Sequence, residues 1–507
     1  TAELSPLAFM IVKMQEAVHS WHVADFDMCL GAVHEGLEEA ERSGVHIFDN
    51  WLLSQEVYAR LFLDEPERAK VSLDRIKPVL NSRRYLDISQ FYYQSSLYNM
   101  RIGNMELALQ HNGEALRFAQ DMGTPFPEGL NIITSAQIHF EMGDVGKAEE
   151  LNNRARDIGR DMQSHLLNML SNLNEAYFSL KTGKHENTRG PLRTALEIGK
   201  EKGIINLPGW RSPLMTELYS EALRSGIEVD YVRDIIRRMD VLPEKSSIEL
   251  ENWPWQMKIY TLGRFETMID GEPLRFKGKP QLKPLEMLKA LIALGGRDVG
   301  QNRLEDLLWP ETDGDRSRQA LITTLYRLRK IAGNEKVIEL SERKLSLNDN
   351  YCWTDVWAFD NLYNKIDDVF AADSFDKSEA APLTEAMLTL YRGDFLIDED
   401  DASWAWPART RIRSRFLYML GTSARGWEKQ SSFEKAVDLY LRGLEVDELA
   451  EEFYRGLMKC YQRQGRTAEG LAVYERCREV LASSLQITPS PETEEIYRSL
   501  RQGRATG

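Results

Sequence analysis

The strongest constraint on this chain is an interval. Gly103-Asn104, Gly143-Asp144 and Gly183-Lys184 recur every 40 residues, each closing one helical pattern and opening the next. Ala115, Ala155 and Ala195 keep the same interval, and Ala69, Ala108, Ala148 and Thr188 lie 39 to 40 apart. Asp25 and Asp64 extend the register upstream, and Ser225-Gly226 closes it downstream. Each unit, as in "YNMRIGNMELALQHNGEALRFAQ", reads as two amphipathic helices around a Gly/Asp/Asn turn, with small side chains where the helices touch. One such unit cannot bury its apolar face alone. Five or six pairs are therefore expected to stack, from Ser5 to about Asp240, into an α-solenoid of tetratricopeptide type with somewhat long repeats. First helices of such pairs line a concave surface where a ligand or peptide binds. Here they carry Trp51, Tyr58, Tyr92, Tyr93, Tyr177, Phe178 and Trp210, most of them expected in the inter-repeat core.

The periodicity then changes. "VLPEKSSIELENWPW" has two prolines, two serines and three acids, which suits a linker over 241–255. "WQMKIYTLGRFETMIDGEPLRF" alternates β-formers around the hairpin signal Asp270-Gly271. Three helical patterns follow: "LKPLEMLKALIAL", the short "NRLEDLLW" stopped by Pro310, and a basic helix begun by Asp313 or Asp315 as N-cap. After Gly333, "KVIELSERKLSLN" reads as a two-stranded hairpin with Glu342-Arg343 near its tip. From about Thr354 the chain is helical again and tetratricopeptide-like. Gly465 is a C-cap candidate there, and Ser490-Pro491 starts the last helix. The expected fold is mostly α: a solenoid (1–240), a linker (241–255), an α+β winged helix-turn-helix module (256–350) and a second helical-repeat domain (351–507).

The basic helix, "RSRQALITTLYRLRK", sets five cations in fifteen positions of a chain whose formal net charge is −15. At about 100° per residue, Leu325, Leu328 and Ala332 fall within about 40° of Leu321, forming one apolar stripe. Gln319, Thr323 and Lys330 point the opposite way, flanked by Arg316, Tyr326 and Arg327. The stretch holds no acid, unlike solubilising helices with Glu/Lys pairs four apart. By itself it reads equally as a solvated face or as a nucleic-acid-reading surface. Residues 257–350 hold 17 Lys/Arg against 14 Asp/Glu, a balance of +3, and the rest of the chain carries −18. The acidity lies outside this module.

Strands, three helices and a hairpin followed by helical repeats is also the layout of a known family. Residues 257 to about 502 resemble the SARP-type transcription regulators, in which an OmpR/PhoB-like winged helix precedes a bacterial transcriptional activator domain. "LGRFETMIDGEPLRFKGKPQLKPLEMLKALIAL" is similar to the family's N-terminal sheet and first helix, and "NRLEDLLWP" to its second. "SRQALITTLYRLRKIAG" resembles its DNA-recognition helix. "YRGDFL", the run from "DLYLRGLEVD" to "YERCREVL" and "TPSPETEEIY" resemble the activator domain. Two departures stand out: the short wing lacks the family's Gly-Tyr, and Gly300 replaces the usual Ser or Thr N-cap of the second helix. Residues 1 to about 240 resemble the repeat sensor of STAND-class regulators of the maltose-operon activator type. No GxxxxGK[ST] phosphate loop accompanies it in this sequence.

The resemblance implies a recognition helix in the major groove of double-stranded DNA, where base edges are distinguishable. Gln319 then pairs with adenine, Arg316 or Arg327 with guanine or phosphate, Thr323 packs on a thymine methyl, and Lys330 meets phosphate. Arg343 and Lys344 on the wing reach the minor groove or backbone, and Lys279 and Lys283 reach phosphate from the first helix. The loop with Glu311, Asp313 and Asp315 matches the family's transactivation loop, implying contact with RNA polymerase; it also reads as a solvated turn. Pairing on direct repeats implies a dimer on DNA.

Other chemistry is weaker. His19, His22, His34 and His46 lack a completing set of metal ligands, and "DEDD" (398–401) reads as an acidic turn. No catalytic constellation has a defensible spacing, so no enzyme activity, metal or cofactor is expected. Cys29, Cys352, Cys460 and Cys477 form no CxxC pair, and no apolar run reaches the roughly 20 residues of a membrane span. The start, "TAELSPLAFMIVK", lacks a basic n-region and an initiator Met, so it reads as a trimmed or partial chain without a signal peptide. The expected protein is a cytoplasmic DNA-binding regulator, an activator, controlled by a small molecule or protein on the solenoid. The alternatives are a scaffold whose winged helix contacts protein, and the effector half of a STAND NTPase switch.

Overall fold

The computed structural model describes residues 5–209, 212–244, 248–275, 282–371, 377–399 and 402–502. The chain divides into two units, Thr1–Pro254 and Trp255–Gly507.

Unit 1 is a stack of six helix pairs: α1 (Pro6–His22) with α2 (Phe26–Ser43), α3 (Asp49–Phe62) with α4 (Pro66–Ile76), and α5 (Tyr85–Arg101) with α6 (Met105–Asp121). They continue as α7 (Pro125–Glu141) with α8 (Val145–Asp161), α9 (His165–Lys181) with α10 (His185–Lys202), and α11 (Ser212–Arg224) with α12 (Val229–Arg238). The 40-residue register has a direct local cause. Gly103, Gly143 and Gly183 hold positive φ at the turns. The carboxamide or carboxylate of Asn104, Asp144 and Asp25 accepts the backbone N–H three residues on, capping the second helix. Ala69, Ala108, Ala115, Ala148, Ala155, Thr188 and Ala195 are all fully buried, so helices meet where the side chains are shortest.

Buried amides add a ladder between pairs. Gln94 Nε2 donates to the Ser54 carbonyl (3.0 Å), Gln137 Nε2 to Asn174 Oδ1 (2.8 Å), and Asn174 Nδ2 to the Ile133 carbonyl (3.3 Å). The run expected to be a linker is tied to the last pair over part of its length. Leu250 and Trp253 are buried, Asn252 Nδ2 donates to the Leu223 carbonyl (2.9 Å), and Arg233 Nε donates to the Asn252 carbonyl (2.8 Å). Its apolar side chains hold it down where its Pro and Ser content suggested freedom.

Unit 2 opens with β1 (Met257–Tyr260), β2 (Glu266–Ile269) and β3 (Glu272–Pro273). Asp270 and Gly271, both at positive φ, turn the chain between β2 and β3. Then come α13 (Leu282–Ala293), β4 (Val299–Gly300), α14 (Gln301–Leu308), α15 (Gly314–Ala332), β5 (Ile338–Ser341), β6 (Lys344–Leu347) and β7 (Cys352–Thr354). The first sheet has the order β3-β2-β1-β7, with β7 parallel to β1 (Met257 opposite Cys352). The second has the order β4-β6-β5. The expected two-stranded hairpin is thus a three-stranded sheet, because two residues before α14 pair with β6. The remaining helices are α16 (Asp355–Ala371), α17 (Lys377–Leu390), α18 (Trp406–Lys429), α19 (Phe433–Val446), α20 (Glu451–Arg463), α21 (Thr467–Leu485) and α22 (Pro491–Arg501). The architecture is mostly α, with a winged-helix module between two sets of helical repeats.

The winged module and the helices after it share one body. The buried Asp355 carboxylate accepts from Thr261 N (2.5 Å), Thr261 Oγ1 (2.7 Å) and Leu262 N (2.8 Å). Burial pushes its pKa up to about 6, against the opposing pull of those hydrogen bonds. Trp357 Nε1 donates to the Gly295 carbonyl (3.1 Å), Leu396 N to the Thr261 carbonyl (2.8 Å), and Lys289 pairs with Glu399. Gly263, at φ +80°, lies so close to Arg392 that a Cβ would sit 2.7 Å from its carbonyl carbon. Among the described residues no helix is long and apolar enough to cross a membrane.

Candidate nucleic-acid interface

The helix α15 is built for two faces. Asp313 occupies its N-cap position, Asp315 lies in the first turn, Arg329 and Lys330 lie in the last, and Gly333 leaves it at φ +74°. Acids at the start and cations at the end complement the helix dipole. Leu321, Leu325, Leu328 and Ala332 are buried, as the stripe predicts. Ser317 and Thr324 are buried beside them, their hydroxyls donating to the Gly314 and Ala320 carbonyls.

Arg316, Gln319, Thr323, Arg327 and Lys330 all lie exposed on the outer side. Among the described residues, the side chains of Arg316, Arg318, Arg327 and Lys330 make no hydrogen bond or ion pair. Cations on unit 1 are usually spoken for: Arg60 pairs with Glu65, Arg101 with Asp64, Arg154 with Glu128 and Arg156 with Glu175. Arg316, Arg327 and Lys330 are three unneutralised cations along one exposed helix face, a surface without an internal partner, while Arg318 stands beside the apolar stripe. Thr323 Oγ1 donates to the Gln319 carbonyl (2.8 Å). Arg329 differs from its neighbours: its Nε (2.9 Å) and Nη2 (2.7 Å) both donate to the Ile338 carbonyl, clamping α15 to β5.

Ile322 (43% exposed) and Tyr326 (64% exposed) share the outer side, four residues apart. Sequence reasoning placed Tyr326 at the flank and passed over Ile322. The signal was available: Ile322 stands about 100° from the stripe centre, outside its arc.

Glu342 and Arg343 form the tip between β5 and β6, both non-glycine and both at positive φ (47° and 61°). Such a two-residue turn matches the strand twist, yet each non-glycine residue costs on the order of 1 kcal/mol. The tip is anchored, since Gln301 N donates to the Arg343 carbonyl (2.8 Å). Arg343 and Lys344 are exposed, Lys344 lying 3.9 Å from Asp298. A polar cleft of about 700 Å³ separates the wing from the start of α15, with Arg318, Arg343, Asp315, Glu305 and Asp306 on its walls.

The first-helix lysines fare differently. Lys279 lies outside the described residues. Lys283 is already engaged: its Nζ donates to the Leu308 carbonyl (2.8 Å), pairs with Glu286 (3.0 Å) and sits over the Trp309 ring (5.2 Å). It stabilises the C-terminal end of α14. Glu311, Asp313 and Asp315 are all exposed, with Asp313 and Asp315 favoured there by the helix start they form.

Elsewhere, His22 Nδ1 bonds the Val18 carbonyl, and His34 and His46 pair with Glu38 and Asp49. Half of the acidic run at 398–401 lies outside the described residues. Cys29, Cys352, Cys460 and Cys477 are free and buried. Burial raises all four thiols, with Cys29 and Cys477 pushed up to about 12.

Residues 354–501 match the family model of the bacterial transcriptional activator domain. The regulatory protein AfsR of Streptomyces griseus is 27% identical over 230 residues, covering 45% of this chain and 23% of that protein. AfsR of Streptomyces coelicolor is 28% identical over 255 residues, covering 48% and 24%. The transcriptional regulatory protein EmbR of Mycobacterium tuberculosis is 27% identical over 250 residues, covering 48% and 62%. The chain thus spans about a quarter of the AfsR proteins and about three-fifths of EmbR. The solved structure of Mycobacterium tuberculosis EmbR in complex with a low affinity phosphopeptide aligns at a TM-score of 0.41 and 20% identity, covering 50% of this chain and 67% of that one. The resemblance to SARP-type regulators is upheld by these matches.

Proposed function

We propose that this chain, related to SARP-type regulators through its bacterial transcriptional activator domain, is a sequence-specific DNA-binding activator. The observation that carries the reading is the outer face of α15. It presents unpaired cations and hydrogen-bonding side chains together, outside any internal ion-pair network. Arg316, Gln319, Thr323 and Arg327 read base edges in the major groove, and Lys330 meets phosphate. Arg343 and Lys344 follow the neighbouring backbone or minor groove. Lys279 contacts phosphate, whereas Lys283 has its charge largely spent on α14 and contributes less. Glu311, Asp313 and Asp315 offer RNA polymerase an acidic turn. The chain acts as a regulator and not as an enzyme, in the cytoplasm, and binds direct repeats as a dimer. A small molecule or protein on unit 1 shifts the population between arrangements of different operator affinity.

Selection of random duplexes on the full chain tests this reading. One sequence class should be enriched, and its affinity should fall with salt at a log–log slope of about −4 if roughly four to five phosphates are neutralised. Failure to enrich any duplex at low salt would reject operator binding. It would favour the scaffold reading, which exposed Ile322 and Tyr326 on α15 also support.

A further inference from the structure

Unit 1 already holds something in its groove. After α10 the chain leaves Gly203 at φ +64° and runs without helix or strand through Ile204 to Leu207. Connections of this kind normally lie on the surface. Here Ile205, Asn206 and Leu207 are buried, Asn206 to 2% exposure. The Asn206 Nδ2 donates to the Trp21 carbonyl (3.1 Å) at the end of α1, 185 residues away, and its Oδ1 accepts from Leu207 N (2.9 Å). Beyond it, Leu207, Pro208 and Gly209 line one side of a cavity of about 40 Å³. The other side is made by first helices of three successive pairs, with Trp21 from α1, Tyr58 and Phe62 from α3, and Leu97 and Met100 from α5. A short stretch outside helix and strand thus crosses three repeats as a bound peptide would.

The fit is incomplete in a specific way. Trp21 Nε1 is buried and has no hydrogen-bond partner among the described residues. Buried donors are seldom left unpaired. A groove selected only for its own connecting loop has no use for an orphaned donor beside it. An occupant with a carbonyl acceptor at that point gains what the internal segment forgoes.

We infer that this groove is a peptide-recognition channel, that the segment 204–209 is its internal pseudo-ligand, and that the external ligand is a short extended peptide carrying a carboxamide followed by a branched apolar residue. The inference rests on the sensor role proposed for unit 1, and gives its ligand a chemical class. Binding requires displacement of 204–209, so the internal segment sets the threshold concentration.

The test uses the full chain and a labelled hexapeptide of the segment's own sequence, IINLPG, read by fluorescence anisotropy without DNA. Wild type should bind it weakly, and Asn206→Ala/Leu207→Ala, which weakens the internal competitor, at least tenfold more tightly. Replacing the peptide's Asn by Asp should abolish the gain. Hydrogen exchange on wild type covers the case in which the double variant fails to fold: excess peptide should accelerate exchange at the Leu207 amide while α5 stays protected. A folded double variant that binds no more tightly than wild type overturns the inference. So does a wild-type chain whose Leu207 amide stays protected under saturating peptide. Either result leaves operator selection by α15 untouched, because no DNA enters the measurement.

Discussion

The groove of unit 1 and the outer face of α15 both carry polar side chains with no protein partner, but for opposite reasons. In the groove the Trp21 indole donor is buried and the space before it is filled by the chain's own loop, so an outside partner must compete. On α15 the cations stand in solvent and nothing covers them, so a polyanion meets no internal rival. The first arrangement suits conditional binding with a threshold. The second suits rapid, salt-sensitive association. In the proposed function, this divides sensing from reading between the two units.

The largest effect expected in unit 2 concerns neither surface but the interior that holds the reading face in place. Asp355→Ala leaves three buried donors without an acceptor and should cost roughly 3–5 kcal/mol in urea unfolding. A loss under 1 kcal/mol would show that the body can rearrange. The same carboxyl has its pKa raised from 3.8 to about 6 in the fold. Between those values the folded state holds the proton more tightly than the unfolded chain. Stability therefore falls as pH rises through about 4 to 6 and levels off above. Asp355→Asn should flatten that window, and a pH dependence unchanged in the variant would assign it to other groups.

On the surface side, Arg327→Ala should weaken operator binding by about 1–3 kcal/mol and leave the melting temperature unmoved. Equal affinity on the preferred duplex would remove Arg327 from the base-reading set. Arg329→Ala sharpens the contrast between neighbours on one helix. It deletes the clamp to Ile338 and should lower stability by about 1–2 kcal/mol, with any loss of DNA binding following from that. The smallest effect belongs to Arg343→Gly, which relieves a left-handed backbone while removing a cation. Stability should hold or rise by a few tenths to about 1 kcal/mol while affinity falls modestly. If both fall together, the wing's role is structural.

Much of this is legible in the sequence. The turn residues Gly103, Gly143 and Gly183 and the alanines at the same interval are local signals, and the helix pairs obey them. The stripe Leu321, Leu325, Leu328, Ala332 marks the buried side of α15, so its exposed side follows by subtraction. Lys283 shows where such reasoning stops. Its type and place suit phosphate, yet its ammonium is occupied by the carbonyl of Leu308, an acceptor that only the packing of α13 on α14 brings near. Arg329 could not be told from Arg327 by charge or spacing. The difference is the carbonyl of Ile338 on another element.

Periodicity, caps and turn residues act within a few residues, and by themselves they determined the repeats, the hairpin turns and the two-faced basic helix. Pairings across long stretches of chain were decided only by the tertiary structure: β7 beside β1, β4 beside β6, Asp355 under Thr261, and Asn206 against Trp21. Each depends on which surfaces meet, and no local pattern encodes the partner. A helix's face is a property of its own sequence. What a polar group bonds to, or whether it is left free for a ligand, is a property of everything packed around it.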